Sequence, residues 1–204
     1  MKTFLFQGDS ITDCCRFRDD IKSLGMGYPL VAAANIGAEF PQKFNFINKG
    51  ISGNRIVDVY ARIKCDIINL KPDYMSILIG INDVWHELGN QNGVDAPKFE
   101  KIYSMLIEEI KEALPEIKIF ILEPFVMNGP ATDDNFDYFV TETKLRAEAA
   151  KRIAEKYDLT FVPLQEKFDE LCKVAPASYW THDGVHPNAE GHGVIAKELA
   201  KAVL

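Results

Sequence analysis

The run Tyr74-Met75-Ser76-Ile77-Leu78-Ile79, followed at once by Gly80-Ile81-Asn82-Asp83, is the most informative part of this 204-residue sequence. Its first six residues are almost continuously apolar, which is typical of a strand buried on both faces of a parallel sheet. Four further runs have a similar length and character: Thr3–Phe6, Phe44–Ile47, Ile117–Leu122 and Leu159–Val162. The sequence therefore predicts a five-stranded, mostly parallel sheet.

Stretches of helix length separate these runs. In Lys98–Leu114, apolar residues recur every three or four positions and form one stripe along a helix, which Pro97 suits at its first turn and Pro115 ends. The predicted helices are Tyr28–Phe40, Ile56–Leu70, Lys98–Leu114, Phe136–Tyr157, Leu164–Lys173 and Ala189–Val203. This alternation predicts an α/β fold with a single domain over residues 1–204, a three-layer α/β/α sandwich of the flavodoxin-like type.

The composition excludes several classes of function. A formal net charge of −7 argues against nucleic-acid binding, which needs basic clusters, and the longest apolar runs are far too short to span a membrane. The sequence turns polar at Gln7 and has no signal-peptide pattern, so we expect a cytoplasmic protein. The cysteines form no CxxC pair, and we expect free thiols at Cys14, Cys15, Cys65 and Cys172.

Polar residues directly follow the first predicted strand, at the sheet edge where parallel sheets bind ligands. This segment is Gly8-Asp9-Ser10. A serine at a sharp strand-to-helix turn can hold its hydroxyl exposed beside backbone N–H groups, as a nucleophile requires. The alternative, that Ser10 only caps a helix, fits this segment equally well.

Two further polar segments follow the second and third predicted strands. In Gly50-Ile51-Ser52-Gly53-Asn54, the backbone of Gly53 can approach an anionic oxygen closely, although a tight turn explains the glycine as well. In Gly80-Ile81-Asn82-Asp83, the amide of Asn82 can donate to an oxyanion, although an Asx turn or a helix cap is the commoner role of a lone asparagine.

A fourth segment, Asp183-Gly184-Val185-His186, precedes the last predicted helix. Residues three apart on a helical turn lie about 5–6 Å apart at Cβ, so Asp183 can orient the ring of His186 and stabilise its charged form. A surface turn with a capping aspartate is the alternative. Because the sequence has no HExxH or similar set, it predicts no metal site.

Together and in this order, the four segments resemble the signature blocks of the GDSL, or SGNH, hydrolases over nearly the whole chain. The resemblance implies the SGNH hydrolase fold and a serine esterase that needs no cofactor. In such an enzyme Ser10 is the nucleophile, and His186, oriented by Asp183, is the base. The N–H groups of Ser10 and Gly53 and the amide of Asn82 then form the oxyanion hole.

Within that family, the strings GDSITDC, NKGISGNR, ILIGINDVW and DGVHPNAEGH look most like intracellular acetylxylan esterases, which deacetylate xylo-oligosaccharides. The expected partner is therefore a small acyl ester, an acetylated sugar, and the subgroup implies a possible homo-oligomer. Trp85 and Trp180 flank the catalytic segments and suit sugar stacking, although loop anchoring is at least as common for tryptophan. Asp9 is a poor third triad member because it would point away from Ser10, and we predict that it contributes to substrate binding.

Other roles stay open at this point. His182 adjoins Asp183 and could compete as base, although the family pattern assigns that role to His186. We expect His86 in a loop and His192 in or at the start of the last helix. Two rival functions also remain: the same machinery acting on a lysophospholipid, a thioester or a peptidoglycan sugar, and a non-catalytic flavodoxin-like binding module.

Overall fold

A computed structural model of the chain describes residues 1–204 and contains one five-stranded sheet. The strands are β1 (Lys2–Gly8), β2 (Phe44–Asn48), β3 (Tyr74–Leu78), β4 (Lys118–Leu122) and β5 (Thr160–Val162). Their order is β2-β1-β3-β4-β5, and every neighbouring pair is parallel. All five predicted strands are confirmed with small shifts at their ends, and the sheet is entirely parallel.

Helices connect all of the strands. They are α1 (Ser10–Asp13), α2 (Tyr28–Glu39), α3 (Ile56–Ala61), α4 (Ile63–Asp66), α5 (Ile81–Asn90), α6 (Ala96–Ala113), α7 (Phe136–Lys156), α8 (Gln165–Leu171), α9 (Ala177–Trp180) and α10 (Ala189–Val203), with 3-10 turns at Ile68–Leu70 and Asp133–Asn135. None of the helices combines the length and the apolar character that crossing a lipid bilayer requires.

The sheet buries a hydrophobic cluster on each face. Because successive side chains of a strand point to opposite faces, Phe4 and Phe6 of β1 pack with α2 and α10, whereas Leu5 packs with α3, α6 and α7. This double burial explains why the strands are continuously apolar in sequence. It also confirms the predicted three-layer α/β/α sandwich.

The predicted single helix Ile56–Leu70 is wrong, because the chain breaks at Arg62. This residue has φ −112° and ψ 15° and separates α3 from α4. Its guanidinium donates hydrogen bonds to Asn54 Oδ1 at 2.8 Å, Lys49 O at 2.8 Å and Gln7 Oε1 at 2.6 Å. These contacts tie the break to the loop after β2 and to the end of β1, and tertiary contacts here override helical periodicity.

Helix α5 lies where the sequence analysis placed only a loop, and His86 is in this helix and not in a loop. The helix begins directly after Gly80, whose φ of 137° ends the extended backbone of β3. Asn82 and Asp83, in the first turn, have low helix propensity, so the start of the helix could not be recognised from the sequence. The prediction for His192 is confirmed, since it lies in α10.

The strand order places a ligand site beside β1. The chain passes from β1 to β2 on one side and then returns to β3 on the other side of β1. In open parallel sheets, such a reversal leaves a crevice beyond the carboxyl ends of the two strands that flank it. Here those strands are β1 and β3, and Ser10 and Asn82 lie in the segments that follow them.

Candidate active site

Ser10 is the first residue of α1, and a sharp turn presents it at the sheet edge. Asp9 precedes the helix, and its Oδ1 accepts a hydrogen bond from the Ile11 N–H at 3.0 Å. Gly8 has φ 155°, and a Cβ at this position would lie 2.3 Å from the Leu78 carbonyl oxygen. Only glycine lets β1 approach β3 so closely before the chain turns. The side chain of Ser10 is left partly exposed.

A chain of hydrogen bonds joins Ser10, His186 and Asp183. The Ser10 Oγ lies 2.8 Å from His186 Nε2, and His186 Nδ1 lies 2.7 Å from Asp183 Oδ2. The other oxygen, Asp183 Oδ1, accepts the backbone N–H groups of Val185 at 2.9 Å and His186 at 2.7 Å. These backbone bonds orient the carboxylate, which leaves Oδ2 directed at the imidazole ring.

The charges of these hydrogen-bonded residues favour a proton on the imidazole ring of His186. The hydrogen bond to Asp183 raises the pKa of His186 above its usual 6.5, although partial burial works in the opposite direction. Burial would raise the pKa of Asp183, but the hydrogen bonds from the ring and backbone of His186 and from Val185 lower it well below its usual range. Asp183 is therefore charged at neutral pH, and it stabilises an imidazolium at His186.

Three possible donors to an oxyanion come from separate loops. The backbone N–H groups of Ser10 and Gly53 have no acceptor within the protein. Asn82 is 5% exposed, and its side-chain amide donates one hydrogen bond to Asn54 O at 3.1 Å, which leaves its second N–H free. Gly53 has φ 80°, and nothing lies within 4 Å of the place where a Cβ would stand. Its backbone is therefore open to an approaching ligand.

Asp13 supports the Gly53 loop, a role that the sequence analysis missed. Its Oδ2 accepts the Ser52 N–H at 3.0 Å and a hydrogen bond from the Arg18 guanidinium at 2.8 Å. A Cβ on Gly50 would lie 2.4 Å from the Asp13 backbone nitrogen, so glycine permits this close approach. The only signal in the sequence was a carboxylate three residues after the serine.

Asp83 is a second supporting residue that the sequence analysis missed. It is fully buried, and its two carboxylate oxygens lie 3.1 Å and 3.2 Å from the Ile56 backbone nitrogen, whose N–H they accept. Burial raises the pKa of Asp83 well above its usual value. The hydrogen bond joins the first turns of α5 and α3, and so holds Asn82 beside the loop that carries Gly53 and Asn54.

The predicted substrate-binding residues lie in different environments. Asp9 is fully buried and burial raises its pKa to about 7, so it does not reach the surface, contrary to the prediction that it binds substrate. The ring of Trp85 lies 5.9 Å from that of His186 and 6.1 Å from that of Phe139. Trp180 donates its indole N–H to Ala175 O at 3.3 Å, which favours the loop-anchoring alternative for this tryptophan.

An open cleft of about 530 Å³ lies in front of Ser10 and His186. Only 3 of its 12 lining residues are hydrophobic. Polar and charged residues dominate the rest of the lining: Ser10, Asp13, Arg16, Arg18, Ser52, His182, His186 and His192. A larger cavity of about 690 Å³ lies elsewhere, against α7 and α8, and contains neither Ser10 nor His186.

Known proteins are similar to this chain in both sequence and architecture. Residues 6–194 match the GDSL-like lipase/acylhydrolase family. An acetylxylan esterase from Geobacillus stearothermophilus is 34% identical over 212 aligned residues, which cover 98% of this chain and 92% of that protein.

Two solved structures superpose closely on the fold. One is a protein described as a GDSL-like lipase from Parabacteroides merdae, with a TM-score of 0.94 and 35% identity over 98% of this chain and 94% of that one. The other is a catalytic mutant of an acetylxylan esterase from Geobacillus stearothermophilus, with a TM-score of 0.89 and 32% identity over 99% of this chain and 94% of that one. The chain therefore belongs to the GDSL-like lipase/acylhydrolase family, and it is a serine carboxylic-ester hydrolase.

Proposed function

We propose that this protein removes acetyl groups from short acetylated sugars such as xylo-oligosaccharides, through an acetyl-enzyme on Ser10. The observation that carries the proposal is the hydrogen-bonded chain from Ser10 through His186 to Asp183 at the carboxyl edge of the sheet. The relative described as an acetylxylan esterase supports the choice of substrate. No cofactor takes part in the proposed reaction.

In the first half of the reaction, the Ser10 Oγ attacks the acetyl carbonyl carbon while His186 Nε2 takes the hydroxyl proton. The tetrahedral intermediate then collapses, the bond from the acetyl carbon to the sugar oxygen breaks, and His186 gives its proton to that oxygen. In the second half, His186 takes a proton from water, which attacks the acetyl-enzyme. The second tetrahedral intermediate collapses, the bond from the acetyl carbon to the Ser10 Oγ breaks, His186 returns its proton to that oxygen, and acetic acid leaves.

The oxyanion of each intermediate is bound by the N–H groups of Ser10 and Gly53 and by the free amide N–H of Asn82. Donors that are already oriented stabilise the developing charge without reorganisation, and each contributes about 10²–10³ in rate. Asp13 and Asp83 hold the two loops that supply Gly53 and Asn82.

The polarity of the cleft favours a sugar over a lipid as the group released. An acyl chain of many carbons needs an apolar surface, because burial of each CH₂ contributes about 0.8 kcal/mol. The cleft offers few apolar residues, whereas the exposed side chains of Arg18 and His182 can contact sugar hydroxyl groups. A lysophospholipase or long-chain thioesterase therefore fits this surface less well.

The direct test is a substrate panel with purified protein and Ser10→Ala as the background control. We expect the highest kcat/KM on acetylated xylobiose or xylotriose, and a steady fall along p-nitrophenyl esters from acetate to laurate. An organophosphate should label Ser10 and stop turnover. A preference for long-chain esters or lysophospholipids would contradict the substrate proposal, and a protein that turns over esters without labelling at Ser10 would contradict the nucleophile.

The cellular location and the oligomeric state stay predictions. The four cysteines are free thiols, which agrees with the cytoplasmic location expected from the sequence. The homo-oligomer implied by the resemblance is also retained as a prediction, and its measurement is the molar mass in solution.

A further inference from the structure

Asp183 Oδ2 lies between two histidine nitrogens. His186 Nδ1 is 2.7 Å away on one side, and His182 Nε2 is 3.6 Å away on the other. The two imidazole rings are nearly parallel, with centroids 5.6 Å apart and an interplanar angle of 17°. Because Asp183 Oδ1 already accepts hydrogen bonds from two backbone N–H groups, Oδ2 is the oxygen that is available to bind a cation.

The backbone holds these three residues in one closed turn. The His182 N–H donates to His186 O at 3.1 Å, and Thr181 and Pro187 form an antiparallel bridge outside this pair. Inside the turn, Gly184 has φ 99°. The turn therefore sets the main-chain positions of His182, Asp183 and His186, whereas the side chain of His182 is 63% exposed and faces solvent over most of its surface.

We propose that His182 Nε2, Asp183 Oδ2 and His186 Nδ1 form an inhibitory binding site for Zn²⁺. Imidazole nitrogen and carboxylate oxygen are ordinary Zn²⁺ ligands, at about 2.0–2.2 Å from the metal. One ligand atom from each of the three residues lies within 4.8 Å of the others. Rotation of the exposed His182 ring shortens its separation to that of a tetrahedral site, in which water takes the fourth position.

The HExxH pattern places two histidines four residues apart on a helix, with a glutamate after the first. His182 and His186 have the same spacing, but Asp183 takes the place of the glutamate and the residues lie in a turn, so the HExxH pattern itself did not select them. The sequence His182-Asp183-Gly184-Val185-His186 is thus both the catalytic turn and a chelating turn.

Metal binding at this turn would stop the reaction, an effect that rests on the proposed role of His186 as base. Zn²⁺ takes the lone pair of Nδ1, so the single proton of the neutral ring moves to Nε2. That nitrogen then donates a hydrogen bond to the Ser10 Oγ and cannot accept its proton. No bond to the substrate has to change for inhibition, and removal of the metal restores the original tautomer.

A second set of metal ligands lies in the same cleft and has to be separated from this one. Cys14 and Cys15 line the cleft, and Cys14 Sγ lies 3.5 Å from His192 Nε2. Thiolate and imidazole also bind Zn²⁺. However, burial raises the pKa of the Cys14 thiol, which disfavours the thiolate that binds Zn²⁺, and no carboxylate joins these two groups as Asp183 joins the histidines.

The experiment measures Zn²⁺ inhibition of p-nitrophenyl acetate hydrolysis in wild type, in His182→Ala and in the double variant Cys14→Ser/Cys15→Ser. Each variant is normalised to its own rate without metal. We expect reversible inhibition of wild type, relieved by EDTA and not reproduced by Mg²⁺. The inhibitory concentration should rise at least tenfold in His182→Ala and stay within about threefold of wild type in the cysteine variant.

Calorimetric titration of Zn²⁺ into Ser10→Ala, with and without His182→Ala, tests the site without any turnover. His182-dependent binding to this variant supports the metal site even if the wild type fails to hydrolyse acetyl esters, in which case only the proposed function falls. Equal Zn²⁺ affinity with and without His182, or loss of inhibition in the cysteine variant alone, would overturn the metal site.

Discussion

Replacing Asp183 with asparagine tests the proposed orienting role of its carboxylate with almost no change in shape. The amide oxygen of Asp183→Asn can keep the two backbone N–H groups that Oδ1 now accepts. The amide NH₂ group then replaces Oδ2 and points its hydrogens at His186 Nδ1, 2.7 Å away. To avoid two opposed donors, the ring has to carry its proton on Nε2, where it faces Ser10 and cannot act as base.

The expected loss follows from this change of tautomer. Replacement of the orienting aspartate of a Ser-His-Asp triad by asparagine costs about 10⁴ in kcat, which corresponds to about 5.5 kcal/mol of transition-state stabilisation. The effect on folding should be small, because the two backbone hydrogen bonds remain. Asp137→Asn, on the exposed side of α7, is the matched control and should leave the rate unchanged.

The assay is kcat/KM for p-nitrophenyl acetate between about pH 5 and 9. His186 has to be neutral to act, and Asp183 raises its pKa, so the wild-type rate should rise with a midpoint above 6.5. In Asp183→Asn the charged ring loses its partner, so the midpoint should move to lower pH as the plateau falls. If the variant keeps more than about a tenth of the wild-type rate, or its midpoint moves upward, Asp183 does not orient the base.

Three other substitutions give separable outcomes. Asn82→Ala should lower kcat by about 10²–10³ with little change in KM, and a change confined to KM would make Asn82 a substrate-binding residue instead. Trp85→Ala should lower kcat/KM about 5- to 150-fold on acetylated xylo-oligosaccharides and leave kcat/KM for p-nitrophenyl acetate nearly unchanged. Trp180→Ala should lower Tm and reduce kcat/KM for both substrates alike. The opposite pattern would make Trp180 the sugar-contacting residue and Trp85 the loop anchor. Asp9→Asn should reduce the fall in Tm between about pH 4 and 7, because Asp9 ionises in the unfolded chain above about pH 4 but stays protonated in the fold up to its pKa of about 7. An unchanged fall would place that loss elsewhere.

The sequence was sufficient for the strands and for the residues of the hydrogen-bonded chain. A strand buried on both faces has to be continuously apolar, so Tyr74–Leu78 could be recognised without knowledge of its neighbours. The rule that ligands bind beyond the carboxyl ends then selected the segments that contain Ser10, Gly53 and Asn82. The distance between Asp183 and His186 followed from a local turn, which depends on only four residues.

The features that could not be predicted depend on contacts between distant segments. Nothing in Ile56–Leu70 itself shows that the Arg62 guanidinium will hydrogen-bond to the end of β1 and interrupt the helix. The burial of Asp9 and Asp83 is equally invisible, because the sequence does not reveal which carboxylates are covered by loops. The stacking of His182 on His186 depends on a tight turn whose geometry only the folded chain reveals.

The hydrogen bond between Ser10 and His186 joins residues that are 176 positions apart, and this separation has a consequence for synthesis of the protein. At a synthesis rate of about 5–20 residues per second, the ribosome adds His186 to the chain roughly 9–35 s after Ser10. During that interval the β1 edge lacks its proposed base, so on the proposed mechanism a nascent chain cannot hydrolyse its substrate however well its sheet has formed. In a synchronised translation reaction, the onset of ester hydrolysis would therefore report when the loop that carries His186 docks against the β1 edge. It would thus measure when the fold is complete.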